Sequence, residues 1–197
     1  MGGILEGKRI GVAVSGSFCT LEAVMPELAG LVSMGAVLTP ILSEKVVTLD
    51  TRYGTASDWR ERIESLCGRK ALTTVVEVEP AGPGRLFDLV AVVPCTGNTL
   101  AKIAGAITDG PVGMAVKVQL RNQRPVVLAI TTNDGLGLSA VNWAGLLAAR
   151  NVYMVPFGQD NPREKPSSLV ARMEFLIPTI EMALQGKQIQ PILIEYR

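Results

Sequence analysis

One recurring unit limits how this chain can fold. A short unbroken apolar run leads into small polar residues, and these lead into apolar positions at helical spacing. The clearest runs are residues 8–14 (KRIGVAV), 89–93 (LVAVV) and 126–130 (VVLAI). A strand that is apolar on both faces of its pleat is covered on both sides, as in a parallel sheet between two helical layers. After the first run come Ser15, Gly16 and Ser17, and then Leu21, Val24, Met25, Leu28, Leu31 and Val32 at helical intervals up to Gly35. Pro26 inside that stretch implies a late start or a bend. The second run, preceded by Leu86, ends at Pro94 and gives way to CTGNT, after which Leu100, Ile103, Ala104 and Ile107 follow the i, i+3, i+4, i+7 rule.

The remaining segments fit the same alternation. AVLTPILS is a strand closing on Ser43, and residues 51–67 are a polar loop feeding a helix with Ser57 and Asp58 as caps. TTVVEV is expected as a short strand, EPAGPG as a turn-rich loop, and residues 112–123 as a helix. RPVVLAIT is a strand, SAVNWAGLLAAR a helix and VYMVPF a last short strand. A final helix carries Leu169, Met173, Leu176, Ile177, Ile180 and Leu184 on one face, kinked at Pro178. The expected fold is a three-layer α/β/α sandwich with a parallel, Rossmann-like (flavodoxin-like) sheet, formed by residues 1–197 as one domain.

Composition removes several function classes. With 19 basic and 18 acidic residues and no basic block, neither nucleic acid nor an anionic membrane is an expected partner. No charged-then-apolar leader and no membrane-length apolar stretch occur, and Cys19, Cys67 and Cys95 form no motif, so a cytoplasmic protein is expected. There is no histidine. Ser–His and Cys–His nucleophile pairs, histidine metal sites and a histidine general base are therefore excluded for this chain, and no metal site is expected.

In open α/β sheets ligands bind beyond the carboxyl ends of the strands, so the strand-to-helix junctions are the candidates. Ser15, Gly16 and Ser17 suit an anion at a helix N-terminus, or serve as an ordinary capped turn. No Gly-x-Gly-x-x-Gly and no Walker lysine is present, which favours a mononucleotide phosphate over a dinucleotide. Thr96, Gly97, Asn98 and Thr99 offer short neutral donors to a polar ring or a phosphate, with helix capping as the plain alternative. Cys95 reads as packing. Thr131, Thr132, Asn133 and Asp134 follow the third run, before Gly135, Gly137 and a capping Ser139. The long polar loop PFGQDNPREKPSSLVARM supplies Arg163, Lys165, Ser167 and Ser168.

Taken together, the SGS loop, the PCTGNTLAK stretch and the Thr-Asn after a later strand resemble the flavoprotein family of FMN-binding cysteine decarboxylases and flavin prenyltransferases. In that family the second stretch usually reads Pro-Ala-Thr/Ser-Ala-Asn-Thr and the third Pro-Ala-Met-Asn. The blocks VPCTGNTLAKIAGAITDGPVGMAVKVQLRNQRPVVLAITTNDGLG and NVYMVPFGQDNPREKPSSLVARM resemble more closely the family's branch of dipicolinate synthase B subunits.

This resemblance implies FMN as cofactor, with Ser15, Gly16, Ser17 and Ser43 at its phosphate and Thr96, Gly97, Asn98 and Thr99 at the flavin. It places Asn133 at the substrate. Lys165, Ser167 and Ser168 are further candidates for a small dicarboxylate substrate. It also implies a homo-oligomer, and as partner the A subunit of dipicolinate synthase, carrying NADP. The implied reaction is oxidation of dihydrodipicolinate to dipicolinate (pyridine-2,6-dicarboxylate) in the mother-cell cytoplasm of a sporulating bacterium. Two alternatives are an autonomous FMN-dependent decarboxylase or prenyltransferase, and a non-catalytic scaffold with a vestigial flavin pocket. The decarboxylases use a histidine that this chain lacks, and their Pro-Ala-Met-Asn is Thr-Thr-Asn-Asp here.

Overall fold

A computed structural model describes residues 3–196. Strand β1 (Arg9–Val14) leads into helix α1 (Phe18–Ser33), strand β2 (Val37–Leu42), the short helix α2 (Glu44–Thr48) and helix α3 (Ala56–Cys67). Two single-turn helices follow, α4 (Val75–Val78) and α5 (Ala81–Gly84), and then strand β3 (Leu89–Thr96), helix α6 (Gly97–Ala104) and helix α7 (Pro111–Arg121). Strand β4 (Val126–Thr132), helix α8 (Ala140–Leu147) and strands β5 (Val152–Met154), β6 (Phe157–Gly158) and β7 (Leu169–Ala171) come next. A 3-10 turn (Met173–Phe175) opens into helix α9 (Leu176–Leu184).

The parallel strands lie in the order β2-β1-β3-β4-β5. The two apolar runs at the centre, in β3 and β4, are buried along their whole length, as expected for strands covered on both faces. Helices α1 and α9 pack on one face, and α6 and α7 on the other, with α8 against α6. The three-layer α/β expectation therefore holds, but the sheet is mixed. Strand β5 pairs with the first half of β4 (Val126↔Val152), while β7 pairs antiparallel with its carboxyl end (Thr131↔Val170). Strand β6 adds antiparallel to β7, and its other side is taken by the chain near the C-terminus, where Phe157 N donates to Ile192 O and Ile194 N to Phe157 O.

Several sequence expectations are corrected by local chemistry. TTVVEV is not a strand. Thr74 accepts from Glu77 N while the Glu77 carboxylate accepts from Thr74 N, and this capping box turns the segment into α4 with Val76 in solvent. EPAGPG closes into the helical turn α5. Thr55 caps α3, with Asp58 completing its box, so Ser57 is not the cap.

Pro94 does not end its strand, because β3 runs on to Thr96 with an irregular register between Val92 and Cys95. Pro26 does not delay α1, which starts at Phe18, and it lies on the exposed face, where the carbonyl it leaves unbonded can meet water. Leu169 belongs to β7 rather than to the last helix, and Pro178 sits in the first turn of α9, where its missing N–H has no intrahelical partner to lose. VYMVPF is divided into β5 and β6.

Candidate functional site

From β1 the chain moves outward to β2, whereas β3 and β4 lie on the opposite side of β1. The connections diverge beyond the carboxyl ends of β1 and β3, which leaves a crevice there. A cleft of about 290 Å³ occupies this position. Gly16, Ser43, Glu44 and Lys45 form one side, and Thr96, Asn98, Thr99 and Lys102 the other. Thr73, Thr74 and the start of α7 complete it.

Ser15 holds the two sides in place. Its side chain is buried, its Oγ donates to Pro94 O at 2.8 Å, and it accepts from Thr96 N at 3.0 Å. The hydroxyl expected to hold a phosphate thus ties β1 to β3 instead. Ser17 also turns inward on its own helix, with its Oγ 3.0 Å from Thr20 Oγ1, and does not line the cleft.

Gly16 does line it. A Cβ there would sit 3.3 Å from Lys45 Cβ and 3.4 Å from the Phe18 ring, so the lysine stem lies close over this glycine. Ser43 is fixed by its N–H donating to Val14 O at 3.0 Å. Its Oγ is buried beside the cleft without a protein hydrogen-bond partner. A buried hydroxyl left without a partner is costly, and a ligand acceptor would satisfy it.

On the far side Thr96 caps α6, its Oγ1 accepting from Thr99 N at 3.3 Å. The capping and ligand-facing readings of Thr96 therefore coexist. Asn98 is exposed to the cleft, and its amide makes no hydrogen bond among the described residues. Gly97 faces away from the cleft. A Cβ on it would lie 2.6 Å from Thr132 Oγ1, so glycine lets the start of α6 press onto the end of β4. Lys102 is paired with Asp109 at 2.7 Å, and this hydrogen bond holds the Asp109 carboxyl below its ordinary range. Lys45 makes no ion pair among the described residues.

The other sequence candidates lie elsewhere. Asn133, Lys165, Ser167 and Ser168 do not line the cleft. Asn133 is exposed, Lys165 stands 3.6 Å from Asp160, and Ser167 O accepts from Leu136 N at 2.9 Å. Ser168 is fully buried, with an Oγ that lacks a hydrogen-bond partner. Ser139 does not cap α8 through its side chain. Its N and Oγ both donate to Asp134 Oδ2 at 3.2 Å.

Lys45, Thr73, Thr74, Lys102 and Asp109 join the site only in the folded chain. Lys45 carries a usable sequence signal, a cation two residues beyond a strand-ending serine. Thr74 carries one in its Thr-x-x-Glu box, hidden by the strand reading.

The cleft offers hydroxyls, an amide, the first-turn amides of α6 and a cation, which suit binding and orientation rather than proton transfer. Cys95 is buried beside it, and burial pushes its thiol up to about 12. Among the described residues no group of histidine, cysteine or carboxylate side chains is placed to hold a metal. The orphaned Ser43 hydroxyl and the neutral donors opposite it fit a planar polar ring carrying a phosphate, as FMN does.

The family model described as Flavoprotein matches residues 3–162. The chain belongs to the flavoprotein family. It is 47% identical over 191 residues to the B subunit of dipicolinate synthase from Bacillus subtilis (strain 168), covering 97% of this chain and 96% of the relative. The crystal structure of the dipicolinate synthase B subunit from Bacillus halodurans C superposes with a TM-score of 0.89 at 46% identity, over 97% of this chain and 98% of that one. The fold alone is shared with the FMN-dependent cysteine decarboxylase SpaF, with a TM-score of 0.64 at 17% identity over 93% and 98% of the two chains. No helix among the described residues is long and apolar enough to cross a membrane.

Proposed function

We propose that the chain, as one flavoprotein-like domain, is the B subunit of a dipicolinate synthase. It acts in the cytoplasm with an NADP-carrying A subunit in the oxidation of dihydrodipicolinate to dipicolinate. The observation that carries this reading is the 47% identity along nearly the full length of both chains. The absence of a dinucleotide fingerprint fits a division of labour in which the partner binds the nicotinamide.

In this reading Gly16 and Ser43 face the phosphate of FMN, and Thr96, Asn98 and Thr99 face the flavin. Bound FMN supplies a two-electron acceptor. The chain's own residues do the rest: Ser15 fixes the distance between the two sides, Thr96 holds α6 in position, and Asn98 offers its amide to the ring. Asn133, Lys165, Ser167 and Ser168 lie outside the cleft and are proposed for the dicarboxylate, Lys165 and Ser167 offering donors to carboxylate oxygens with the buried Ser168 behind them. Self-association belongs to the same proposal.

The deciding experiment mixes the two purified subunits with dihydrodipicolinate and NADP and follows dipicolinate by its absorbance. Turnover that requires both chains is expected. Turnover by the NADP-carrying partner alone at the same rate would sink the proposal.

A second reading is favoured by the chemistry of the cleft, which has no histidine and whose neighbouring cysteine is buried and held protonated. In it the chain stabilises or positions its partner without touching reacting atoms. Asn98→Ala separates the two: lost turnover with the complex between the two subunits intact supports a working cleft, and unchanged turnover supports the scaffold.

A further inference from the structure

We infer that the amino-terminal half of β2 is a docking edge for an extended acidic segment of a protein partner. This rests on the two-chain reading above and concerns the end of the sheet opposite the cleft.

Strand β2 is the outermost parallel strand. Its backbone groups alternate in direction, as in any parallel ladder. Val37 N donates to Lys8 O and Ser43 N to Val14 O, so the odd-numbered residues face β1 and the even-numbered ones face outward. Toward the end of the strand the outer side is taken by Leu72, whose N–H donates to Pro40 O and whose C=O accepts from Leu42 N, both at 2.9 Å. Pro40, without an N–H, suits such an edge. No described residue reaches Leu38 in the same way, so its outward N–H and C=O are unpaired. Glu64 anchors the covering segment to α3, its carboxylate accepting from Ala71 N at 3.0 Å and from Lys70 Nζ at 2.9 Å.

A groove of about 660 Å³ lies beside the unpaired stretch. Val37, Thr39, Leu86 and Phe87 line it below, and the exposed Arg9, Arg69 and Lys70 rim it. Val37 and Thr39 are half-buried and Leu86 is exposed, so apolar surface is left open. Positive charge is in excess. Glu64 is shared by Arg60 and Lys70, Asp88 is shared by Arg9 and Arg124, and Arg69 makes no ion pair among the described residues. The groove's own acid, Glu77, already accepts from the amides of Thr73 and Thr74.

An extended segment paired with Leu38 turns its flanking side chains to the face of Val37 and Thr39, and so into this groove. Its backbone supplies the missing donor and acceptor, an apolar side chain covers Leu86, and a carboxylate meets Arg69. A small anion or a nucleic acid would use the cations and leave the Leu38 pair unmet.

The test follows amide hydrogen exchange of the full chain by NMR, alone and mixed with the purified A subunit. In the dilute chain the Leu38 amide should exchange faster than those of Val37 and Thr39, which donate to β1. In the complex its exchange should slow about tenfold or more, and Arg69→Glu should remove that slowing and weaken the complex about tenfold without changing unfolding. A Leu38 amide as slow as its neighbours in the dilute chain overturns the inference, as does a complex that leaves Leu38 unaltered. Protection that grows with the concentration of this chain alone assigns the edge to a second copy and overturns it too. If the two subunits do not associate, peptides of alternating valine and glutamate and of alternating valine and lysine decide. Protection of Leu38 by the acidic peptide alone upholds the edge and fails the two-chain reading, whereas equal effects, or none, overturn the edge.

Discussion

The carboxyl edge of the sheet has two halves that sequence alone presents as equals. Beyond β1 and β3, short polar residues converge on one cleft and leave groups without protein partners: Ser43 Oγ, the Asn98 amide and the Lys45 ammonium. Beyond β4, several of the corresponding residues are bonded to one another, and the hydroxyls that are not, Thr131 Oγ1 and Ser168 Oγ, are buried away from this cleft. Asp134 takes both donors of Ser139, Ser167 O takes Leu136 N, and Lys165 stands near Asp160. Residue type does not distinguish a binding junction from a self-satisfied loop. What distinguishes them is whether the unused polar groups open onto the cleft.

The strongest test of that contrast is Ser15→Ala. A phosphate ligand would lose affinity and keep stability. A tie between β1 and β3 would lose stability first, because Pro94 O and Thr96 N are both left without the Ser15 hydroxyl. We expect a loss of about 1–3 kcal/mol in denaturant unfolding, with weaker FMN binding as a consequence. Unchanged unfolding would remove Ser15 from the frame of the cleft.

Asn98→Ala comes next. It should lower FMN affinity about tenfold, about 1.4 kcal/mol, without moving Tm, because the amide holds nothing in the protein.

Asp109→Asn should have a smaller effect of opposite sign. It releases Lys102 to the cleft, so FMN and phosphate bind a few-fold more tightly. In the wild type the same release requires protonation of Asp109, whose pKa is lowered by the hydrogen bond from Lys102. The ion pair is complete above the ordinary carboxylate range and is lost as pH falls through the depressed value. The ratio of wild-type to Asp109→Asn affinity for inorganic phosphate, in which the ligand's own protonation cancels, should therefore rise toward one on acidification. Calorimetric titrations at several pH values read both curves.

Lys165→Ala should do least to stability. Its exposed pair with Asp160 contributes below about 0.5 kcal/mol. As a proposed dicarboxylate contact it should instead raise the apparent KM for dihydrodipicolinate in the two-subunit assay with unfolding unchanged, and an unchanged KM would remove Lys165 from the substrate.

Much of this architecture is readable from the chain because it rests on periodicity. The buried runs of β3 and β4, the amphipathic α6 and the three-layer order follow from which positions are apolar. The antiparallel pair β6 and β7 does not follow. Two residues and three residues are too few to show a period, and Leu169 happens to continue the apolar spacing of α9. TTVVEV misleads for a related reason: β-branched composition suggests a strand, while the Thr74–Glu77 box decides for a helix.

At the site, Ser43, Thr96, Asn98 and Thr99 are legible as polar residues after strands. Ser15 is legible as polar but not as already engaged, since its partners lie about eighty positions away in sequence. Lys45 has one sequence signal, its place two residues beyond Ser43, and that signal is weak because a lysine in a short helix is ordinarily a solvated charge. Its importance comes only from its position over Gly16.

The pairing of residues 192–194 with β6 has a practical consequence. That segment covers a free strand edge, and Ile194 O approaches Gly158 so closely that a side chain there would collide with it. A chain truncated before residue 190 would bare the N–H and C=O of Phe157 at a sheet edge, where strands of other molecules can pair. Aggregation of such a truncation would then report an uncovered edge rather than a failed core, and affinity tags belong at the other end.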